Sequence, residues 1–289
     1  VSYLCRSHGK GLRPVLALLC ARLGGNGVND SAIKAAVIVE LLHEATLVHD
    51  DVVDESAERR GFPSLSSRFK NKVSVLFGDY MLASVLSETL EARDLKWLDI
   101  LADTSRRLAR GELVQAARAR KLDMDETDYL TMIGDKTAAL FNASCRLGGL
   151  TGGLADQQVE ALGEYGEKLG IAFQIKDDML DIFGNGSRLG KPTGGDLKER
   201  KLTLPLLSAL SKVNNRESRR IKARIRRGIK RSEIRMVTDF IQDNGGDVYA
   251  TEVMNRHASE AVRALETLPT SPIRTKLEEL GEFVVKRGK

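Results

Sequence analysis

Apolar residues recur every three or four positions along most of this chain, and no stretch alternates convincingly with period two. That spacing lines side chains along one face of a helix rather than one face of a strand. Only six prolines interrupt 289 residues, so the pattern reads as all-α. Helices are expected near 14–23, 31–55, 69–92, 95–119, 126–149, 156–183, 202–212 and 216–231, with others to the end. Ile33, Val37, Leu41, Ala45, Val48 and Val52 form the expected buried stripe of the second helix, with Asp30 and Ser31 at its cap. Pro14 marks a helix start and Gly24-Gly25 its end. No linker, 20–50-residue repeat or low-complexity segment divides the chain, so residues 1–289 read as a single domain. Val1-Ser2-Tyr3-Leu4 looks like helix interior, which makes the N-terminal helix an expected fragment.

Within this helical pattern one acidic motif occurs twice. Asp50-Asp51-Val52-Val53-Asp54 and Asp177-Asp178-Met179-Leu180-Asp181 both spell Asp-Asp-x-x-Asp inside apolar runs. On a helix, the first and last carboxylates of each motif stand one turn apart on one face, and the middle one lies about 100° round. Carboxylates so close, flanked by Leu47, Val48, Val52 and Val53, repel one another and lose hydration. A divalent cation relieves both costs, and hard oxygen ligands select Mg²⁺ or Mn²⁺. A single acidic triplet is ordinarily a solvated face; two identical ones in apolar helices point to metal.

Each motif is followed by a loop of unusual chemistry. Glu55–Ser66 contains Arg59-Arg60-Gly61-Phe62-Pro63, and Phe183–Thr203 sets five glycines among Lys191, Asp196, Lys198 and Lys201. A glycine-rich basic loop beyond a metal site suits a phosphate clamp or lid. Two such helices packed side by side would offer six carboxylates across a cleft, and the substrate bridging them would be a polyanion, best a diphosphate. Lys10 and Arg13 precede a helix N-terminus, a natural place for a second anion. Phe173 and Gln174 lie one turn before Asp177, so hydrocarbon and aromatic surface floors the site, as an isoprenoid tail requires.

Composition sets the outer bounds. Hydrophobic residues make up 42% and charged residues 29%, with a net charge of +5, an ordinary balance for a soluble protein. No run approaches about 18 uncharged apolar residues, so no transmembrane helix is expected, and no signal peptide is evident. Cys5, Cys20 and Cys145 show neither metal spacing nor a pairing pattern and read as reduced cytoplasmic thiols.

Taken in order, GKGLRP (9–14), LLHEATLVHDDVVDESAERRG (41–61), GDYMLA (78–83), GELVQ (111–115), KTAALF (136–141), GIAFQIKDDMLD (170–181) and GKPTGGDLKERKLTLP (190–205) closely resemble the trans-isoprenyl diphosphate synthase, or polyprenyl synthetase, family. The resemblance spans essentially the whole chain. It implies an all-α bundle of about ten to thirteen helices around a deep central cavity, with both aspartate motifs at its mouth. The implied reaction joins isopentenyl diphosphate to an allylic diphosphate and releases pyrophosphate. By motif, Asp50, Asp51, Asp54, Asp177, Asp178 and Asp181 would hold about three Mg²⁺ ions, with Mn²⁺ a possible substitute. Arg59, Lys136, Lys191 and Lys201 would contact the allylic diphosphate, and Lys10, Arg13, His43 and Arg60 isopentenyl diphosphate. Thr137 and Gln174 would border the reacting carbons, and Phe173 would pack on the isopentenyl unit. The last proton is assigned to the departing pyrophosphate, with His43 the alternative base. A homodimer is also implied. Two departures stand out: Ser7-His8-Gly9 replaces the family's usual paired glycines, and Arg200 replaces a usual glycine before Lys201.

In this family a bulky residue four or five positions before the first aspartate closes the cavity. Here those positions hold Thr46 and Ala45, which leave it open and favour a long-chain product of the octaprenyl or heptaprenyl type, suited to quinone tails. Val85, Leu86, Thr89 and Leu101 are candidates for the deeper floor, or else ordinary core. The alternative is a shorter geranylgeranyl- or farnesyl-type product. A class I terpene cyclase would not need Lys10, Arg13, Arg60 and a second full motif, and product analysis with and without isopentenyl diphosphate separates the two. A metal phosphohydrolase would have to lean on His49-Asp50, with no further ligand pattern from the other histidines. A regulatory subunit of a heteromeric synthase would usually lack acids from one motif.

Arg216–Arg235 holds ten Lys and Arg residues, with Ile221, Ile225 and Ile229 at helical spacing. No aromatic residue interleaves these charges, so nucleic-acid binding is not expected. The run reads as a solvated amphipathic helix, with transient membrane-surface contact the second reading.

Overall fold

The computed structural model describes residues 3, 9, 11–59, 61–184 and 194–287. The helices are α1 (Leu12–Leu23), α2 (Asp30–Val53), α3 (Leu65–Phe69), α4 (Asn71–Glu91), α5 (Leu95–Lys121), α6 (Glu126–Ile133), α7 (Ala139–Thr151), α8 (Asp156–Phe183), α9 (Gly195–Lys198), α10 (Leu204–Lys212), α11 (Asn215–Arg226), α12 (Arg231–Asp243), α13 (Gly246–Ala264) and α14 (Pro272–Lys286). A π-helical turn, Gly134–Ala138, joins α6 to α7. The one departure from helix and loop among the described residues is a two-residue antiparallel pair that aligns Glu58 with Pro63 and Arg59 with Phe62.

Local chemistry explains several boundaries. Asn29, not Asp30 or Ser31, caps α2: its side chain accepts the Ala32 amide at 2.8 Å. Asp125 caps α6 through the Asp128 amide at 2.8 Å in a reciprocal capping box. The helix expected over 216–231 stops at Arg226, because Gly228 turns the chain with φ +87° before α12 begins.

Contacts group the chain into two compact units. In the first (Val1–Asp103, Leu140–Gly163 and Leu268–Arg274), α2 lies along α4 and against α1. Its buried face is Ala32, Ala35, Ala36, Ile38, Val39, Leu42, Ala45 and Val48. The expected stripe is therefore only partly right: Ile33 and Val37 are 52% and 55% exposed. The buried arc runs instead through Ala32, Ala35 and Ala36 to Ile38, Val39 and Leu42, on a helix that packs against both α1 and α4. Leu86 is likewise exposed and cannot floor an interior within this unit, whereas Val85, Thr89 and Leu101 are buried.

The second unit comprises Thr104–Ala139, Glu164–Thr267 and Thr275–Lys289. There α10 packs against α13, α12 and α6, and the buried Tyr165 hydroxyl donates to the Leu277 carbonyl at 2.8 Å. Ile221, Ile225 and Ile229 are buried, so the basic run turns its apolar side inward and its charge outward.

Candidate active site

Both acidic motifs sit at the C-terminal ends of helices. In the first unit α2 ends at Val53 and Asp54 is its C-cap, with the Asp54 amide on the Asp50 carbonyl at 2.8 Å. Helical geometry thus runs through the motif and keeps Asp50 and Asp54 one turn apart. Neither α2 nor α8 has a basic residue in its last turn. A helix C-terminus carries roughly half a negative charge, which adds to the carboxylates and makes each motif a strong cation-seeking end.

Asp51 is buried and accepts Arg59 Nε and Nη2 at 2.7 Å each. Burial works against the Arg59 charge, but the Asp51 hydrogen bond and charge more than offset it. The Asp51 carbonyl also takes the Ser56 amide at 3.0 Å and the Ser66 hydroxyl at 3.3 Å, which ties the following loop to the motif. About two turns before Asp50 on α2, His43 Nε2 lies 3.0 Å from Arg13 Nη1, and the Arg13 guanidinium covers the Phe141 ring at 4.9 Å. Ala45 is fully buried, and the Thr46 hydroxyl donates to the His43 carbonyl at 2.7 Å. His49 turns toward α4, 3.3 Å from the Val75 carbonyl and 3.4 Å from Asp79. A Cβ at Gly78 would meet its ring at 2.3 Å, so the glycine of GDYMLA makes room for this histidine. His49 is thereby used in packing α2 onto α4, which removes the main support for a phosphohydrolase.

In the second unit Asp178 is buried beneath two donors: Tyr129 Oη and Gln174 Nε2, each at 2.7 Å. Thr137 Oγ1 donates in turn to Gln174 Oε1 at 2.7 Å. Burial pushes the Asp178 carboxyl up to about 6 and Asp177 adds to the rise, against the pull of Tyr129, Gln174 and Lys201. The same surroundings push the Tyr129 hydroxyl up, through burial first and then Asp178. Asp181 accepts the Gly195 and Asp196 amides at 3.2 and 3.0 Å, so the start of α9 closes over it. Asp196 itself is pushed up by burial and by Asp178 and Asp181. A cavity of about 80 Å³ opens here, lined by Lys136, Thr137, Gln174, Asp178, Asp196 and Lys201 among others.

The remaining sequence candidates divide plainly. Lys136 pairs with Glu112 at 2.7 Å, and Lys201 pairs with Glu199. Asp177 accepts Arg287 Nη2 at 2.6 Å, and the Arg287 guanidinium covers the Phe173 ring at 3.7 Å. Lys10, Arg60 and Lys191 lie outside the described residues. Arg200 is exposed with φ +62°, a left-handed conformation that explains why glycine suits this position. The sequence reading missed Tyr129, Glu112 and Arg287. Glu112 stands in the GELVQ segment and was the most findable; nothing near Tyr129 or Arg287 in sequence marks them as neighbours of the second motif.

Among the described residues, no three His, Cys, Asp or Glu side chains converge on one metal-sized point. The chain's own donors engage three of the carboxylates: Arg59 holds Asp51, Arg287 holds Asp177, and backbone amides hold Asp181. The donor set still fits Mg²⁺, since every candidate ligand is a hard carboxylate oxygen at a helix's negative end. Asp178, whose pKa is raised by burial, is a group whose ionised form a nearby cation would favour.

The polyprenyl synthetase family model matches residues 1–241. Octaprenyl diphosphate synthase of Haemophilus influenzae is 38% identical over 287 residues, 99% of this chain and 87% of that protein. A decaprenyl diphosphate synthase structure from Rhodobacter capsulatus is 39% identical with a TM-score of 0.93, covering 100% of this chain and 89% of that one. A Caulobacter crescentus polyprenyl synthase, solved in complex with calcium and isoprenyl diphosphate, is 38% identical with a TM-score of 0.92, covering 98% and 87%.

Proposed function

From the premise that the chain belongs to the polyprenyl synthetase family, we infer that it is a prenyltransferase that joins isopentenyl diphosphate head to tail to an allylic diphosphate. The product is a long all-trans polyprenyl diphosphate, in keeping with the octaprenyl and decaprenyl products named for its relatives. The observation that carries this reading is the repeated acidic motif at two helix ends without basic residues, the second beside a cavity holding Lys136 and Lys201. The unbroken family match over 1–241 supports a single synthase domain.

Asp50, Asp51, Asp54, Asp177, Asp178 and Asp181 are the carboxylates that would hold Mg²⁺, about three ions, whose charge neutralises the allylic diphosphate as it leaves. Arg59, Lys136, Lys191 and Lys201 bind the same diphosphate. Lys10, Arg13, His43 and Arg60 hold isopentenyl diphosphate, and Phe173 packs on its carbon skeleton. Thr137 and Gln174 border the reacting carbons, where the alkene attacks the allylic cation. His43 Nε2 is engaged with Arg13, so the released pyrophosphate, rather than this imidazole, takes the final proton. The test is chromatography of polyprenols after incubation with farnesyl diphosphate, isopentenyl diphosphate and Mg²⁺. Long chains that require isopentenyl diphosphate are expected; a cyclised product made without it would point to a terpene cyclase.

The chain is further proposed to work as a cytoplasmic homodimer. Val73, Leu76, Tyr80, Leu86 and Leu90 stand exposed on α4, and clustered exposed apolar side chains commonly mark an interface. By length and composition α4 could also cross a membrane, but Asp79 and its approach to His49 suit a protein interface better. Leu76→Glu with Leu90→Glu is expected to halve the mass seen by sedimentation; an unchanged mass removes α4 from the interface. The outward charge of α11 leaves room for brief contact with an anionic bilayer, and indifference to anionic vesicles in flotation would dismiss it.

A further inference from the structure

One buried charge cluster of the second unit lies outside the groups assigned to substrate or metal. Asp135, 4% exposed, stands in the π-helical turn next to Lys136. Arg110 reaches it with Nε on Oδ2 at 2.5 Å and Nη2 on Oδ1 at 2.8 Å, and Arg107 Nε reaches Oδ1 at 3.0 Å. Arg107 turns its other edge to Glu167 on α8, with Nη2 on Oε1 at 2.5 Å and Nη1 on Oε2 at 3.0 Å. Arg107 Nη2 also donates to the Gly134 carbonyl at 3.0 Å. That same carbonyl accepts the Ala139 amide, the i→i+5 bond that defines the turn.

The arrangement is informative because of its cost. A buried ion network is seldom worth more to stability than well-packed apolar residues of the same volume. A π turn, in turn, is rare and recurs at functional sites, where it sets side-chain direction. Here it lets Lys136 and Thr137 both line the cavity while Asp135 points to the arginines. An ordinary α-helical register would displace one residue of the turn by about 100°. α5 enforces the approach from its own side, since a Cβ at Gly111, next to Arg110, would lie 2.7 Å from the Lys136 nitrogen. Burial opposes ionisation of Asp135, but the hydrogen bonds from Arg110 and Arg107 prevail and hold its carboxyl below the usual range.

We propose that Asp135, gripped by Arg107 and Arg110 and braced by Glu167, is a positioning group that keeps the π turn in register so that Lys136 and Thr137 both face the cavity. The proposal rests on the reading that these two residues handle the allylic substrate.

Asp135→Asn keeps the size and removes the charge. In the full chain it should lower kcat by about tenfold, and leave the KM for isopentenyl diphosphate within about twofold. In a Lys136→Ala, Thr137→Val background the same substitution should cost less than about threefold, because its effect passes through those two side chains. Without substrate, amide hydrogen exchange at Ala138 and Ala139 should quicken while the melting temperature stays within a few degrees. An equal kcat loss in both backgrounds, or a wild-type rate, overturns the proposal. Should Asp135→Asn fail to fold, Arg110→Gln, at a half-exposed side chain, carries the same expectations at smaller size, and wild-type kinetics there overturn it. If the wild-type chain elongates no prenyl diphosphate, the functional reading fails, whereas the exchange measurement still judges the grip on the turn.

Discussion

Asp50→Ala and Asp177→Ala are each expected to lower turnover by a factor on the order of a hundred to a thousand while the fold persists. The separation of effects follows from where these groups stand. Asp50 and Asp177 are only partly buried at helix ends, so truncation opens no large apolar cavity. Asp50→Ala removes a carboxylate from a helix terminus where negative charge is unfavourable, a small gain for the fold, whereas Asp177→Ala also takes the partner from the largely buried Arg287 and lowers the melting temperature somewhat. In the proposed role each aspartate would hold a cation that offsets the charge of the departing diphosphate, and Arg287, the partner of Asp177, carries the wrong sign to replace it. Single-turnover rates, paired with circular dichroism and thermal melts, measure both halves. EDTA should abolish activity and excess Mg²⁺ restore it. Full turnover in chelator would remove the metal from the reaction.

The second large effect is on product length. Thr46→Phe, or Ala45→Tyr, is expected to shorten the product to about three or four isoprene units, with the first condensations near normal speed. Thr46 lies one turn before Asp50, half-buried, with its hydroxyl satisfied by the His43 carbonyl in its own helix. Replacing it therefore strands no distant partner, and the added ring must project past the backbone of α2. Ala45 is fully buried, so tyrosine there either enters an open channel or overpacks the wall at a cost of about 1–3 kcal/mol. Melting temperature distinguishes the two. Stable variants that release short polyprenols support the channel; variants that make full-length product slowly would show that neither residue lines it.

Much of this architecture was legible in the sequence. The period of the apolar residues gave most helices to within a few positions, because helix burial repeats on a scale that a single chain displays. What the sequence hid was which arc of a helix is buried. On α2 Ala32, Ala35 and Ala36, with Ile38, Val39 and Leu42, are buried while Ile33 and Val37 stay exposed, a choice that depends on where α1 and α4 pack. The site was legible to the same depth. Acidic and basic residues carried by motif could be named, but their partners could not. Arg287 lies 110 residues from Asp177, and Tyr129 lies 49 from Asp178. The π turn was invisible as well, since Gly134-Asp135-Lys136 fits an ordinary helix and only the arginines of α5 reveal why it is not one.

The hydrogen-bonded line from Thr137 through Gln174 to Asp178 has a direction, and Asp178 sets it. An ionised carboxylate can only accept, so Gln174 must turn its amino group to Asp178 and its oxygen to Thr137. Thr137 is then committed as a donor, and its one hydroxyl hydrogen is spent. What this residue shows to the cavity is lone pairs alone. An electron-poor carbon formed beside it, as the proposed reaction requires, would meet a surface that welcomes positive charge and has no proton to give. Burial pushes the Asp178 carboxyl upward, and with a proton on it the line would be free to reverse and that one-way polarity would be lost.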